Sequence, residues 1–302
     1  MKNTGGKSLF ISMVGRPNVG KSTILNMIIG EKISIVSPKP QTTRNKIRGI
    51  LTINDTQLVF IDTPGLHTPK TKLGDFMIKE INSSFSDSEA IMHIVEAGKS
   101  PSVEDLKFAE KFKLIGNTPV ILVINKIDLL KSKSELLKNI EEYNEIFDYD
   151  AVIPISAINC DGRNELIAEF VKLAKPSVFF FDSDDITDKS EREICSEIIR
   201  EKMLYFLSQE LPYGVAVAIE RFHINEKTNL LSIDALIQCE KANHKSIIIG
   251  KGGKMLKKIG TEARKDIEKM MNCKVNLKMW VKVKENWRNC DFILKDMGYI
   301  LE

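Results

Sequence analysis

Residues 8–22 read SLFISMVGRPNVGKS. An apolar, β-rich run passes without a break into residues 15–22, GRPNVGKS, which fit the pattern GxxxxGK[ST]. The residues after it, STILNMIIG, carry Ile24, Met27 and Ile28 at helical spacing. A strand, a glycine loop and then a helix put backbone N–H groups around a phosphate, because a helix N-terminus leaves its first N–H groups unpaired. In that reading Gly15, Arg16, Pro17, Asn18, Val19 and Gly20 form the cradle. Lys21 reaches the β- and γ-phosphates, the Ser22 hydroxyl binds Mg²⁺, and Thr23 closes the loop.

Further along, four apolar runs each end in a polar loop: QLVFIDTPG at 57–65, AIMHIVEAG at 90–98, PVILVINKID at 119–128 and AVIPISA at 151–157. Short, nearly continuous apolar strands suit a parallel sheet covered on both faces. The pattern predicts a doubly wound α/β domain over residues 8–175. Asp62, in Asp62-Thr63-Pro64-Gly65, holds Mg²⁺ through a water, and the Gly65 N–H meets a γ-phosphate only while that phosphate is there. In Asn125-Lys126-Ile127-Asp128, the Asp128 carboxylate accepts from both N1–H and the 2-amino group of guanine. Adenine offers neither donor and leaves the carboxylate unpaired, a mismatch that discriminates strongly. Asn125 fixes the loop, and the Lys126 stem lies on the ring. Ser156-Ala157-Ile158 supplies a backbone N–H for guanine O6. Four such elements in order, each at a strand end, point to a guanine nucleotide.

The 302 residues are 43% hydrophobic and 28% charged, as soluble globular domains are. No apolar run approaches the roughly 20 residues of a membrane span, and LFISMVG reads as a strand rather than a signal peptide. The five cysteines are scattered, without a CxxC pair, and the four histidines form no HExxH pattern. Neither a disulfide framework nor a zinc site is expected, and a reducing cytoplasm is the simplest compartment. Charge is uneven. Residues 241–302 hold 15 Lys and Arg against 7 Asp and Glu, whereas the whole chain is only +3. A basic C-terminal block suits a polyanion, or a solvated surface.

The pattern changes at residues 176–189, whose proline and acidic run predict a linker. A second, smaller α+β domain follows over 190–302. Its first helix starts at a capping box, Ser190 with Glu193. Two strand-like runs, GVAVAIERFHI and LLSIDALIQCE, come next. Then comes Gly250-Lys251-Gly252-Gly253, which lacks the spacing and the Ser/Thr of a nucleotide loop. It fits GxxG, the turn with which KH domains clamp a single-stranded nucleic-acid backbone. The following helix carries Met255, Ile259, Ala263 and Ile267 at i,i+4 spacing, with Lys254 and Lys257 near its start. Cations there oppose the helix dipole unless a phosphate arrives. The last strand alternates: Val275, Leu277, Met279, Val281 and Val283 on one face, Asn276, Lys278, Trp280, Lys282 and Lys284 on the other. Trp280 is expected to cover a neighbouring element rather than to stack on bases.

With GRPNVGKSTILN, QTTRNKIRGI, DTPGLH and NKID, the chain resembles the translation-factor-related GTPases. ITDKSERE, ELPYGVAVAIERF, IGTEARKDIEKM and LKMWVKVKENW extend the resemblance, over essentially the whole chain, to those members that carry a type II KH domain after the GTPase domain. The resemblance makes PKPQTTRN the first switch. Thr42 and Thr43 are adjacent there, and the family pattern implies Thr43 as the Mg²⁺ ligand. It implies K⁺ at Asn18 and catalytic roles for Lys21, Thr43 and Gly65. Leu66 stands where Ras-like enzymes place a water-orienting glutamine, so slow intrinsic hydrolysis of GTP to GDP is expected. The implied partner is single-stranded 16S rRNA near its 3′ end, bound through Gly250, Lys251, Gly252, Gly253, Lys254 and Lys257 during 30S subunit assembly. The implied location is cytoplasmic, with a peripheral contact on the inner membrane. A membrane-bound GTPase and a small-molecule phosphotransferase are the competing classes.

Overall fold

The computed structural model of the chain describes residues 5–65, 69 and 71–299. The chain divides into two compact units, with the break between Asp188 and Lys189; Ile35–Thr42 groups with the second.

The first unit alternates strands and helices: β1 (Gly6–Val14), α1 (Lys21–Ile29), β2 (Ile47–Ile53), β3 (Thr56–Asp62), α2 (Lys72–Ser86), β4 (Ala90–Glu96), α3 (Val103–Leu114), β5 (Val120–Asn125), α4 (Lys133–Asn144), β6 (Ala151–Ile155), α5 (Arg163–Leu173) and β7 (Lys175–Ser177). Its sheet runs β2-β3-β1-β4-β5-β6. Every residue of β3 and of β5 is buried, because helices cover both faces. Ala90, Met92 and Ile94 of β4 meet α1 and α5 on one side. Ile91 and Val95 meet Phe108 and Phe112 of α3 on the other. The period of two along one strand thus feeds two cores.

Two strands go beyond the apolar runs of the sequence. β2 pairs antiparallel with β3 through a two-residue turn, Asn54-Asp55, in which Asn54 takes φ 52. That turn chemistry is a hairpin signal, legible in TINDTQ. β7 pairs antiparallel with the start of β1. It begins the stretch expected as a linker, which is instead laid against the first unit. Gln57 Oε1 accepts from the Phe180 and Phe181 N–H groups at 2.9 and 3.1 Å. The Phe180 ring meets Phe10 edge-on at 4.9 Å. The run of phenylalanines, rather than the acidic residues beside it, decides where this segment lies.

The second unit contains α6 (Glu191–Phe206), β8 (Val215–Asn225), β9 (Leu230–Cys239), α7 (Ala242–Ile249), α8 (Lys254–Met271), β10 (Lys274–Val283) and α9 (Asp291–Asp296). The Ser190–Glu193 capping box forms. β8 is antiparallel to β9, and β10 is parallel to it. One face of this sheet offers Leu231, Ile233 and Ala235 to Ile198 and Ile199 of α6 and to Ala263 and Ile267 of α8. Each fully buried aliphatic side chain there contributes about 1.5–3 kcal/mol. Also within this unit, the Val36 N–H donates to Glu201 at 2.9 Å and the Thr42 carbonyl accepts from Arg200.

Candidate functional site

The turn from β1 into α1 brings the first set of residues together. Gly15 and Gly20 take φ 154 and 104, and a Cβ on Gly20 would lie 2.3 Å from Asn125 Nδ2. Glycine is required there by neighbours as well as by backbone angle. Asn18 follows at φ 66, Val19 packs into the core and Thr23 is half-buried. Lys21 is 7% exposed, and its Nζ donates to the Gly15 and Arg16 carbonyls at 3.1 Å each. Burial lowers its pKa to about 8, with Asp62 pulling the other way.

One oxygen of Asp62 gathers three hydroxyls: Ser22 at 2.7 Å, Ser34 at 3.2 Å and Thr43 at 3.4 Å. Ser22 and Thr43 are themselves 3.0 Å apart. The other oxygen, Oδ1, is buried without a hydrogen-bond partner. Burial raises the Asp62 pKa, opposed by Lys21 and the hydroxyls. A carboxylate with an unpaired buried oxygen beside two hydroxyls fits a hard divalent cation that takes oxygen ligands. The Thr42 hydroxyl donates to the Lys39 carbonyl at 2.6 Å. Thr63 donates to the Met13 carbonyl at 2.9 Å, Pro64 is buried, and a Cβ on Gly65 would lie 3.0 Å from the Pro17 ring. Leu66 lies outside the described residues.

Asn125 closes the opposite end. Its amide donates to the Val19 carbonyl at 2.8 Å, and its oxygen accepts from the Ala157 N–H at 3.1 Å. Asp128 is exposed beyond it and accepts from the Ser156 hydroxyl at 2.5 Å. Lys126 takes φ 69 and pairs with Glu96 at 2.9 Å. The N–H groups of Ser156 and Ala157 have partners within the protein. The Ser156 N–H donates to the Asp161 carbonyl at 3.1 Å and that of Ala157 to Asn125, because the loop closes on itself. Ile127 is half-buried and Ile158 is 78% exposed.

Several participants were not anticipated. Asn26 accepts from the Ile33 and Ser34 N–H groups at 3.1 and 2.9 Å, and this clamp sets the Ser34 hydroxyl on Asp62. Arg16 meets the fully buried Asp105 at 3.1 Å. Asp105 also accepts from Tyr143 at 3.3 Å and faces His93 Nε2 at 3.6 Å. Burial alone would raise the Asp105 pKa, but His93, the Ser102 N–H and Arg16 together hold it low. Burial lowers the His93 pKa and keeps the ring neutral. A histidine inside the apolar run AIMHIVE and a Ser102/Asp105 capping pair were the available signals.

The second set lies between α7 and α8. Gly250, Gly252 and Gly253 all take positive φ, at 71, 59 and 75. A Cβ on Gly250 would meet Met255 at 2.7 Å, whereas Gly252 and Gly253 have nothing within 4 Å. Lys251, Lys254 and Lys257 are exposed around this turn. Beside it runs a cleft of about 410 Å³, lined by Gly253, Leu256, Lys257, Thr261, Arg264 and Met279 among others. Trp280, expected to cover a neighbour, is 47% exposed.

Comparison with known proteins assigns a family to each of the two regions. The family model of the 50S ribosome-binding GTPases matches residues 10–126, and that of the KH domain matches residues 210–288. GTPase Era of Ruminiclostridium cellulolyticum is 48% identical over 293 residues, 97% of this chain and 97% of its own length. GTPase Era of Clostridium kluyveri is 50% identical, over 97% of this chain and 99% of its own. Among solved structures, Era in complex with MgGDPNP and nucleotides 1506–1542 of 16S ribosomal RNA is similar at TM-score 0.91 and 35% identity, covering 98% of this chain and all of its own. A variant of Aquifex aeolicus Era bound to GDP·AlF4⁻ gives TM-score 0.92 at 35% identity over 98% of this chain.

Proposed function

The chain belongs to the Era family of GTPases, and we propose that it hydrolyses GTP as a switch while binding single-stranded 16S rRNA near the 3′ end, in assembly of the 30S subunit. The observation that carries this reading is one chain joining a braced phosphate cradle to an open GxxG turn beside a cleft. The similar structure that holds an rRNA fragment favours the small subunit.

The reaction is in-line attack of water on the γ-phosphoryl group, where the protein's contribution is position and positive charge. Lys21 leaves the Gly15 and Arg16 carbonyls for the β- and γ-phosphates. The Gly65 N–H meets the γ-phosphate, and Asp128 selects guanine. Mg²⁺ would be held by Ser22 and Thr43, with Asp62 acting through water, and would supply positive charge to offset that of the phosphates. We assign Asn18 to a potassium ion, so replacing potassium by sodium should slow turnover.

RNA approaches the GxxG turn, where Gly252 and Gly253 leave room for its backbone and Lys251, Lys254 and Lys257 meet phosphates. No helix among the described residues is long and apolar enough to cross a membrane. A peripheral contact of the basic second unit with anionic lipid is the competing use of these lysines. Gly252→Asp puts bulk and negative charge in open space, at a φ that Asp tolerates better than most residues. The protein should fold, bind GTP normally and lose RNA affinity. Wild-type RNA affinity in a folded Gly252→Asp protein refutes the reading, and flotation on anionic vesicles then tests the lipid alternative.

A further inference from the structure

We propose that the sheet face turned away from α6 and α8 is a second RNA-binding surface, on which a base stacks against Trp280 between flanking cations. This rests on the RNA-binding reading above and extends it to a different face of the same edge strand. Met279 and Val281 of β10 pack toward the helices. Side chains alternate along a strand, so Lys278, Trp280 and Lys282 stand on the other face, and all three are exposed.

The register then builds the surface row by row. Trp280 lies opposite Leu236, which lies opposite Ala218, a low apolar row across all three strands. On one side of it the next row is Lys278, Asp234 and Arg221; on the other, Lys282 lies beside Gln238. Each lysine is about 6.6 Å from Trp280 along the strand. Lys278, Lys282 and Arg221 make no ion pair with a described residue. Asp234 is the one carboxylate in these rows. An exposed indole at 47% with free cations on both sides offers a π-face for a base and charges for its phosphates. A strand leaving the cleft at Met279 reaches this face by passing the β10 edge.

The chain has two tryptophans, which makes the test direct. Trp287 is fully buried with its indole N–H on the Gly214 carbonyl at 3.0 Å, so acrylamide-sensitive emission belongs to Trp280. The full chain is titrated with a short single-stranded RNA that just spans the cleft, and with the same RNA extended at both ends. The extended RNA should quench Trp280 and the short one should not. Trp280→Ala should weaken the extended RNA about tenfold and leave the short one unchanged. Trp280→Phe should keep most of the affinity, and Lys278→Ala with Lys282→Ala should flatten its salt dependence. GTP binding and melting, followed in parallel, report folding.

The proposal falls if Trp280→Ala binds both RNAs as wild type does, or if anionic vesicles quench Trp280 while extended RNA leaves it untouched. Short-RNA binding by Gly252→Asp separates the two readings. If it is undiminished, the cleft reading fails, while Trp280 quenching by extended RNA still upholds the sheet face.

Discussion

The two glycine loops of this chain look alike as text and differ as objects. In residues 15–22 the glycines are demanded by the protein: added Cβ atoms would lie 2.3 Å from the Ile94 carbonyl at Gly15 and 2.3 Å from Asn125 at Gly20. In residues 250–253 only Gly250 is so confined, and Gly252 and Gly253 face open space. The first loop is a finished mould, with its shape held before a ligand arrives. The second keeps its room for something that is not protein. A mould should fail when its own packing is disturbed. An open turn should fail only when the ligand's path is blocked.

The largest expected effect follows from Gly20→Ala. The methyl group meets Asn125 and the residue must hold φ 104, so stability should drop by about 3 kcal/mol. The same change displaces the Asn125 amide from the Val19 carbonyl, so GTP affinity should fall at least a hundredfold. Gly253→Ala should cost only about 1 kcal/mol, the price of a left-handed alanine, with GTP affinity unchanged. Denaturant melts and nucleotide titrations measure both. Equal losses in the two variants would erase the distinction between mould and turn.

Asp105→Asn probes what braces the mould. Removing the charge leaves Arg16 facing a neutral amide. The expected cost is about 2 kcal/mol, less than for a fully buried pair because Arg16 is 22% exposed. GTP affinity should weaken severalfold, since Arg16 carries the carbonyl on which Lys21 rests. RNA affinity should not move. A variant that melts early but binds GTP normally would make Asp105 a structural brace without influence on the loop.

The unequal legibility of the two loops has the same origin. Nucleotide chemistry needs particular residues at fixed spacing, so Lys21, Ser22, Asp62, Asn125 and Asp128 stand out as candidates in the text. The α/β order was equally readable because buried parallel strands leave continuous apolar runs. What supports those residues was not readable. Ser34 reaches Asp62 only because Asn26 folds the backbone back. Asp105 finds Arg16 across a distance in sequence that no local pattern spans. The open face around Trp280 escaped for another reason: alternation says which face a side chain takes, not whether a neighbour covers it. The segment after β7 misled through its acidic residues, although its phenylalanines decide where it lies.

Two further expectations concern the lysines, and they separate the loops by their response to solution conditions. Lys21 is buried and its pKa is lowered to about 8. The unfolded chain keeps that proton up to about 10.5, so between these values the native state binds fewer protons and stability rises with pH. A phosphate favours the protonated ammonium, which reverses the sign for binding. GTP affinity should be flat below about pH 8 and fall above it, approaching tenfold per pH unit. Salt should act mainly at the other loop. Lys254→Ala and Lys257→Ala should each lower the salt slope of RNA binding by about 0.7, because each removes roughly one phosphate contact. Nucleotide titrations across pH 7–10 and RNA titrations across a salt series measure these slopes. GTP affinity that stays level through pH 9 would place Lys21 in a wetter setting than its 7% exposure implies, and the first loop would be less of a mould than its glycines suggest.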